Sequence, residues 1–411
     1  MSASLTRRLS AHDSLFLYWE HPEQPMHVAE CLVYDGRFTA AELKRMLAQR
    51  LHLLPRYRQK VVFTPLGLAH PTWEDDPDFD LDNHVEERQL PAPADDRMLS
   101  KVGGELFCEL LDRRHPLWKA TVLQGHASGG TVVFLKLHHS MVDGVSSIDL
   151  LEVLHASAPD APAPSPPSDG WLPAPIPRST ALVRTGLGDQ LASLTGGLRA
   201  AARALTRPRA RLRQLDVIGR TALNTMPLVL RPRPGTPFNS PISASREFAW
   251  LELPFAEMTT VRKQLGATVN DIVLATLGGG LARYMRRHGY DTEGVTLRVL
   301  CPVSMRRTDQ HGALGNLVSM VSVGIDAGTS DPLERLQGVR AEMETLKADD
   351  QAGGLYDIAA VVKALPAPLF ALPWRHLPRT YWPHNITSTN VAGPRTPLYL
   401  AEHELLHWYP V

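Results

Sequence analysis

The chain has 411 residues, and its 43 lysines and arginines balance 43 aspartates and glutamates, which excludes nucleic-acid binding through a generally basic surface. A hydrophobic share of 44% with 21% charged residues is that of a globular protein, and the length favours two domains over a single core. Cys31, Cys108 and Cys301 lie far apart and form no CxxC pair, so reduced thiols and no zinc site are expected. No signal-peptide core is visible, and no apolar run approaches the ~20 residues of a spanning helix. The expected location is cytoplasmic, with any membrane or lipid-droplet contact peripheral.

In chain order, Met26 to Tyr34 reads as a first strand ending at Asp35-Gly36. Thr39-Ala40-Ala41-Glu42 is a capping box that starts a helix with Leu43, Met46, Leu47 and Leu51 on one face. A helix over 97–113 leads to Pro116-Leu117-Trp118, and strands follow at 119–124 and 131–138. Ser146 or Ser147 can cap the next helix, with Leu150, Leu151 and Leu154 apolar.

From Ala156 to Arg178 the composition shifts to Ala, Pro and Ser, the signature of an extended linker. Residues 178–234 then carry eleven arginines against two aspartates, and much of this stretch is predicted helical, interrupted at Pro208. A second domain is expected from Ile242, opening with a strand over 246–254. Thr268 can cap a helix from Val269 to His288, stopped by Gly289. Gly278-Gly279-Gly280 lies inside that helix, where each glycine costs roughly 0.5–1 kcal/mol relative to alanine; something must approach closely to offset this. Strands at 295–303 and 317–325 and a helix over 330–348 follow.

The chemistry sits in Leu137-His138-His139-Ser140-Met141-Val142-Asp143-Gly144. Imidazole titrates near neutrality, so one at a strand end beside a cleft can take a proton from a hydroxyl and return it. In extended backbone His138 and His139 point to opposite sides, so only one can face a substrate. A buried Asp143 would need a counter-charge, and Gly144 lets the chain turn sharply. Adjacent histidines do not match the H-E-x-x-H spacing, so no metal is expected.

This HHxxxDG pattern resembles the active-site signature of coenzyme-A-dependent acyltransferases with the chloramphenicol-acetyltransferase-like fold. The flanking blocks narrow the resemblance to the bacterial wax ester synthase/diacylglycerol acyltransferase family: Ser10 to Phe16 with Pro25-Met26-His27-Val28, Trp73 to Asp80, Pro116-Leu117-Trp118, Val269-Asn270-Asp271, Pro302-Val303-Ser304, Gly315-Asn316 and Asn390 to Pro394. Ala392 stands where that family usually shows proline. Family members usually also continue beyond Val411, so a shortened second domain is expected.

The resemblance implies an α/β fold of two sandwich domains with a tunnel between them. The expected division is 1–165, then a linker and crossover over 166–241, then 242–411. It implies acyl-CoA as donor, diacylglycerol or a long-chain alcohol as acceptor, and no cofactor. It makes His139 the general base, with His138 structural. It pairs Asp143 with Arg306, offers Asn270 for the thioester oxyanion, and places Pro116, Leu117, Trp118 and Ser304 at the substrate. Residues 178–234 are the candidate lipid-surface contact. The alternatives are acyl transfer of the polyketide-associated or condensation-domain type with another acceptor, and a non-catalytic lipid-surface binding protein. Oligomeric state is not readable from the residues.

Overall fold

The computed structural model describes residues 7–141, 147–165, 170–205, 233–304, 318–348, 367, 371 and 384–411. Its first sheet is built on β1 (His27–Tyr34), β4 (Val85–Gln89), β5 (Trp118–Gln124) and β6 (Val132–His138), with β2 (Gln59–Val62) and β3 (Thr72–Asp75) forming a separate hairpin. β6 is central, antiparallel to β1 on one side and to β5 on the other, with His27 opposite His138.

Side-chain alternation sorts this sheet into two buried faces. Leu32 and Tyr34 of β1 and Val133, Leu135 and Leu137 of β6 pack against α2 (Ala40–Ala48) and α4 (Ser147–Leu154). Ala29, Cys31, Val33, Val132 and Phe134 face the other way, against Leu99 and Leu106 of α3 (Asp96–Cys108). Fully burying one such side chain contributes roughly 1.5–3 kcal/mol. The α2 capping box forms as predicted, Thr39 Oγ1 accepting from the Glu42 amide and Glu42 Oε2 from the Thr39 amide. The helix expected over 97–113 stops at Cys108, because Lys136 of β6 donates to the carbonyls of Leu106 and Glu109 and so caps its end.

Two expectations change, and the basic stretch begins as the helix expected. Residues 246–254 join no strand ladder and lie extended across α3. Phe248 sits where a Cβ on Gly103 would be, its carbonyl accepting from Ser100 Oγ. The last strand, β11 (His403–Pro410), pairs with β10 (Tyr399–Leu400) and antiparallel with β1, from Glu30 opposite Pro410 to Val33 opposite His407, and then, past a one-residue irregularity, Tyr34 opposite Leu405. The C-terminal strands therefore extend the first sheet, in the order β10-β11-β1-β6-β5-β4. The basic stretch begins as α5 (Ser179–Leu205), which docks one face on the first half: Leu182 is buried, Arg8 bonds Asp189 at 2.6 Å, and Gly186 lies against Ala69. Residues 206–232 lie outside the described ones.

The second sheet has β7 (Thr296–Ser304) between antiparallel β8 (Val318–Asp326) and parallel β9 (Ile386–Thr387). Against it pack α7 (Val269–Arg287), preceded by α6 (Phe255–Leu265), and α8 (Pro332–Ala348), around Leu274, Val299, Val323, Ile325 and Leu336. The predicted Thr268 cap is present and forms a capping box with Asp271. No single described helix is long and apolar enough to cross a membrane; α6 and α7 reach that length only together and meet at 101°.

Candidate active site

β6 ends at His138, and the chain turns at once into a 3-10 turn, His139–Met141. Two backbone bonds fix the pair: the His138 amide donates to Leu117 O at 2.9 Å and the His139 amide to Met26 O at 2.8 Å. The turn throws the two rings into different surroundings, although the backbone is no longer extended at His139 as the sequence reading supposed.

His138 is fully buried. Its Nδ1 accepts from the Ser140 amide at 3.1 Å and lies 2.6 Å from Ser140 Oγ, so the proton sits on Nε2. Nε2 faces Glu20 Oε1 at 3.4 Å, and His27 Nε2 faces the same oxygen at 3.1 Å. Arg113 Nη2 donates to Glu20 Oε2 at 2.8 Å. Burial alone would raise the Glu20 carboxyl, but the hydrogen bonds from His138 and His27, with Arg113, outweigh it and hold the carboxyl well below the usual range. Burial pushes His138 down, with Glu20 opposing. The stable arrangement is an ionised Glu20 held by the permanent cation Arg113 beside a neutral His138. His138 thus has Nδ1 hydrogen-bonded, while its buried Nε2 faces Glu20 without a hydrogen bond of good geometry.

His139 is half-buried and stacks face to face on Phe16, ring centroids 3.9 Å apart at 14°. Burial lowers its pKa from 6.5 to about 4; its own carbonyl opposes, His12 and His138 lower it further, and Asp13 raises it. A ring N–H of His139 donates to its own backbone carbonyl. The other ring nitrogen carries the lone pair, and among the described residues no other side chain bonds to it. At neutral pH this ring is an uncharged base, and among the described residues one of its nitrogens meets no side-chain partner.

Helix α1 (Ala11–Trp19) supplies both supports, Phe16 from its middle and Glu20 as its C-cap. Ser10 caps its start by accepting from the Asp13 amide at 3.1 Å. Phe16, Glu20, His27 and Arg113 were not singled out as site residues by the sequence reading. Phe16 and His27 lie in the blocks Ser10 to Phe16 and Pro25 to Val28 that carry the family resemblance, whereas Glu20 and Arg113 lie in neither.

The remaining expected residues fall as follows. Pro116, Leu117 and Trp118 are buried: Leu117 O holds the His138 amide, and Trp118 donates Nε1–H to Tyr57 O at 2.8 Å and stacks on His84. Asn270 sits half-buried in the first turn of α7, where the helix dipole favours negative charge; no hydrogen bond among the described residues joins it to the histidines. Asp143, Gly144 and Arg306 lie outside the described residues, and so does the side chain of Ser304. Among the described residues no group of three His, Cys, Asp or Glu side chains has metal-binding geometry.

Comparisons with known proteins bear on this site. The model of the wax ester synthase/diacylglycerol acyltransferase catalytic domain matches residues 9–273, and that of the C-terminal domain of the same family matches residues 314–411. A Mycobacterium tuberculosis protein named for diacylglycerol O-acyltransferase activity is 32% identical over 98% of this chain and 86% of its own length. A second from the same organism, similarly named, is 31% identical over 98% and 80%. Among solved structures, the wax ester synthase/diacylglycerol acyltransferase of Marinobacter aquaeolei VT8 superposes with a TM-score of 0.64 at 23% identity, covering 98% of this chain and 86% of that one. The first condensation domain of the calcium-dependent antibiotic synthetase shares the fold at a TM-score of 0.53 and 15% identity, covering 100% and 85%.

Proposed function

The chain belongs to the wax ester synthase/diacylglycerol acyltransferase family, and we propose that it moves a long-chain acyl group from acyl-CoA to diacylglycerol or a long-chain alcohol. The products are triacylglycerol or a wax ester and free CoA. The observation that carries this reading is the neutral, half-buried His139 ring, braced by Phe16, to which no side chain hydrogen-bonds among the described residues.

In the proposed step the acceptor hydroxyl gives its proton to that nitrogen as its oxygen attacks the thioester carbonyl. The new C–O bond forms, the C–S bond breaks, and the imidazolium returns the proton to the departing thiolate. A conjugate acid near pKa 4 is far more acidic than a thiol near 8.5, so the return transfer is strongly downhill. Positioned proton transfer of this kind is worth typically ~10²–10⁴-fold. No metal or prosthetic group is required, since the thioester is already activated. Asn270, at the positive end of α7, is the proposed donor to the oxyanion. Asp143 and Arg306 are proposed as an ion pair that orders the loop after the histidines.

The test is labelled palmitoyl-CoA supplied with diolein or with hexadecanol. Labelled triacylglycerol or wax ester is expected, and its absence with both acceptors overturns the reading. The lipid substrates suit a peripheral surface contact, which we assign to the basic stretch 178–234. Flotation with anionic liposomes should weaken when Arg207, Arg209, Arg211 and Arg213 are replaced by Gln, and unchanged flotation rejects that assignment.

A further inference from the structure

The three consecutive glycines of α7 are not equally explained. A Cβ on Gly278 would lie 2.5 Å from Ile325 Cγ2 of β8, and one on Gly279 would lie 2.6 Å from Arg335 Nη1 of α8. Close approach accounts for both. A Cβ on Gly280 would meet nothing within 4 Å. Glycine inside a helix is destabilising relative to alanine, and no described neighbour makes up for it at Gly280.

Gly280 lies in a groove of about 510 Å³ bordered by α6, α7 and the start of α8, a volume within the ~300–1,000 Å³ typical of small-molecule sites. Arg283, Arg286 and Arg335 line it, and no carboxylate does. Among the described residues no carboxylate pairs with any of the three, which makes a local excess of positive charge; Arg283 and Arg286 are exposed at the mouth of the groove. Arg335 is only 9% exposed. Its Nη2 donates to Thr329 O at 2.5 Å and Ser330 O at 3.2 Å, and its Nε is buried without a partner. Arg286 donates only to neutral oxygens, Thr292 Oγ1 and Ala327 O. The nearby acids are engaged elsewhere. Asp331 accepts from the Leu333 and Glu334 amides at the start of α8, and Asp326 accepts from the Gly328 amide and from Thr329 Oγ1.

A buried guanidinium with no counter-charge is costly, and an oxyanion would both neutralise it and match its planar donors. The rest of the lining is largely apolar: Val261, Leu265, Ile272, Leu333 and Leu336. We infer that this groove binds an anionic amphiphile, an oxyanion headgroup joined to an alkyl chain. The headgroup meets Arg283, Arg286 and Arg335, and the chain lies along the apolar wall over the space left by Gly280. A fatty-acid carboxylate and a phosphomonoester of diacylglycerol carry the same chemistry. No groove residue enters the acyl-transfer step, so the inference stands apart from that reading.

Titration calorimetry on the full chain tests it, with decanoate, dihexanoyl phosphatidate and inorganic phosphate as probes. The variants are Gly280→Leu, Arg283→Gln and His139→Ala. Leucine fills empty space and favours the helix, so the Tm of Gly280→Leu should hold or rise, separating lost binding from lost folding. At least one amphiphile should bind saturably, tenfold or more tighter than inorganic phosphate. It should bind at least tenfold weaker to Gly280→Leu and to Arg283→Gln, and unchanged to His139→Ala. Which amphiphile binds distinguishes carboxylate from phosphomonoester. No saturable binding of either amphiphile, equal affinity in wild type and Gly280→Leu, or loss of binding in His139→Ala overturns the inference.

Discussion

His138 and His139 are neighbours in the chain and opposites in the structure. On the α3 side, His138 spends one nitrogen on Ser140 and turns the other to a carboxylate that Arg113 and His27 also hold. On the α1 side, His139 touches an aromatic face, bonds its own carbonyl and, among the described residues, meets no side-chain hydrogen-bond partner. Both rings are pushed toward neutrality by burial, so charge state does not separate them. Surroundings do: a fully buried ring facing a carboxylate beside a permanent cation can brace a turn, and a half-buried ring stacked on an aromatic face can meet a substrate and move a proton.

The sharpest way to break this comparison is substitution at His139. His139→Ala should lower acyl transfer by roughly 10²–10⁴-fold while leaving the denaturation midpoint nearly unchanged. His138→Ala should instead unfold at markedly lower denaturant, because it strips partners from Glu20 and Ser140. Next in size is Glu20→Gln. Removing one partner of a buried ion pair costs about 3–5 kcal/mol, and chemical denaturation should register a loss of that order, with turnover falling through misplacement of both rings.

A third prediction concerns the stacking ring. Phe16→Ala opens one face of His139 to water and weakens the burial that depresses it. The acid limb of kcat/KM, expected near pH 4 from the lowered pKa, should move up by roughly one unit. Phe16→Leu should move it less. An unmoved limb in Phe16→Ala would separate the stack from the titration.

The smallest effect comes from another buried imidazole. His155 accepts from Tyr34 Oη at 2.8 Å and donates to Leu151 O at 2.8 Å, and burial lowers it from 6.5 to about 4. Because its folded pKa is depressed, the unfolded chain binds the proton first. Stability from this group is complete above about pH 6.5 and is lost as pH falls toward 4, amounting to about 2 kcal/mol at pH 5. Urea unfolding at pH 7 and pH 5 should show a smaller pH dependence in His155→Gln than in wild type.

The parts of this architecture that were legible in sequence are those written locally. Both capping boxes, the apolar faces of α2 and α7 and the run into the histidines carry their signals within a few residues. The strand β11 was missed because its partner is β1, with Glu30 opposite Pro410 at the far end of the chain; pairing over that separation leaves no local mark. Residues 246–254 have the composition of a strand, but Phe248 and Trp250 pack beside α3 and the backbone finds no ladder. The histidines announced themselves, and their supports did not. Phe16 and Glu20 come within reach of β6 only through the docking of α1, a tertiary event with no periodicity to read. The triple glycine predicted a close approach, and two of its three positions have one.

The most direct test of the central claim compares wild type and His139→Ala at pH 7, both shown to be folded, with palmitoyl-CoA and whichever acceptor the wild type uses. A drop in kcat of at least a hundredfold, with KM for palmitoyl-CoA little changed, is what a positioned proton carrier requires. Equal turnover by the two proteins would contradict it and remove His139 from the chemistry.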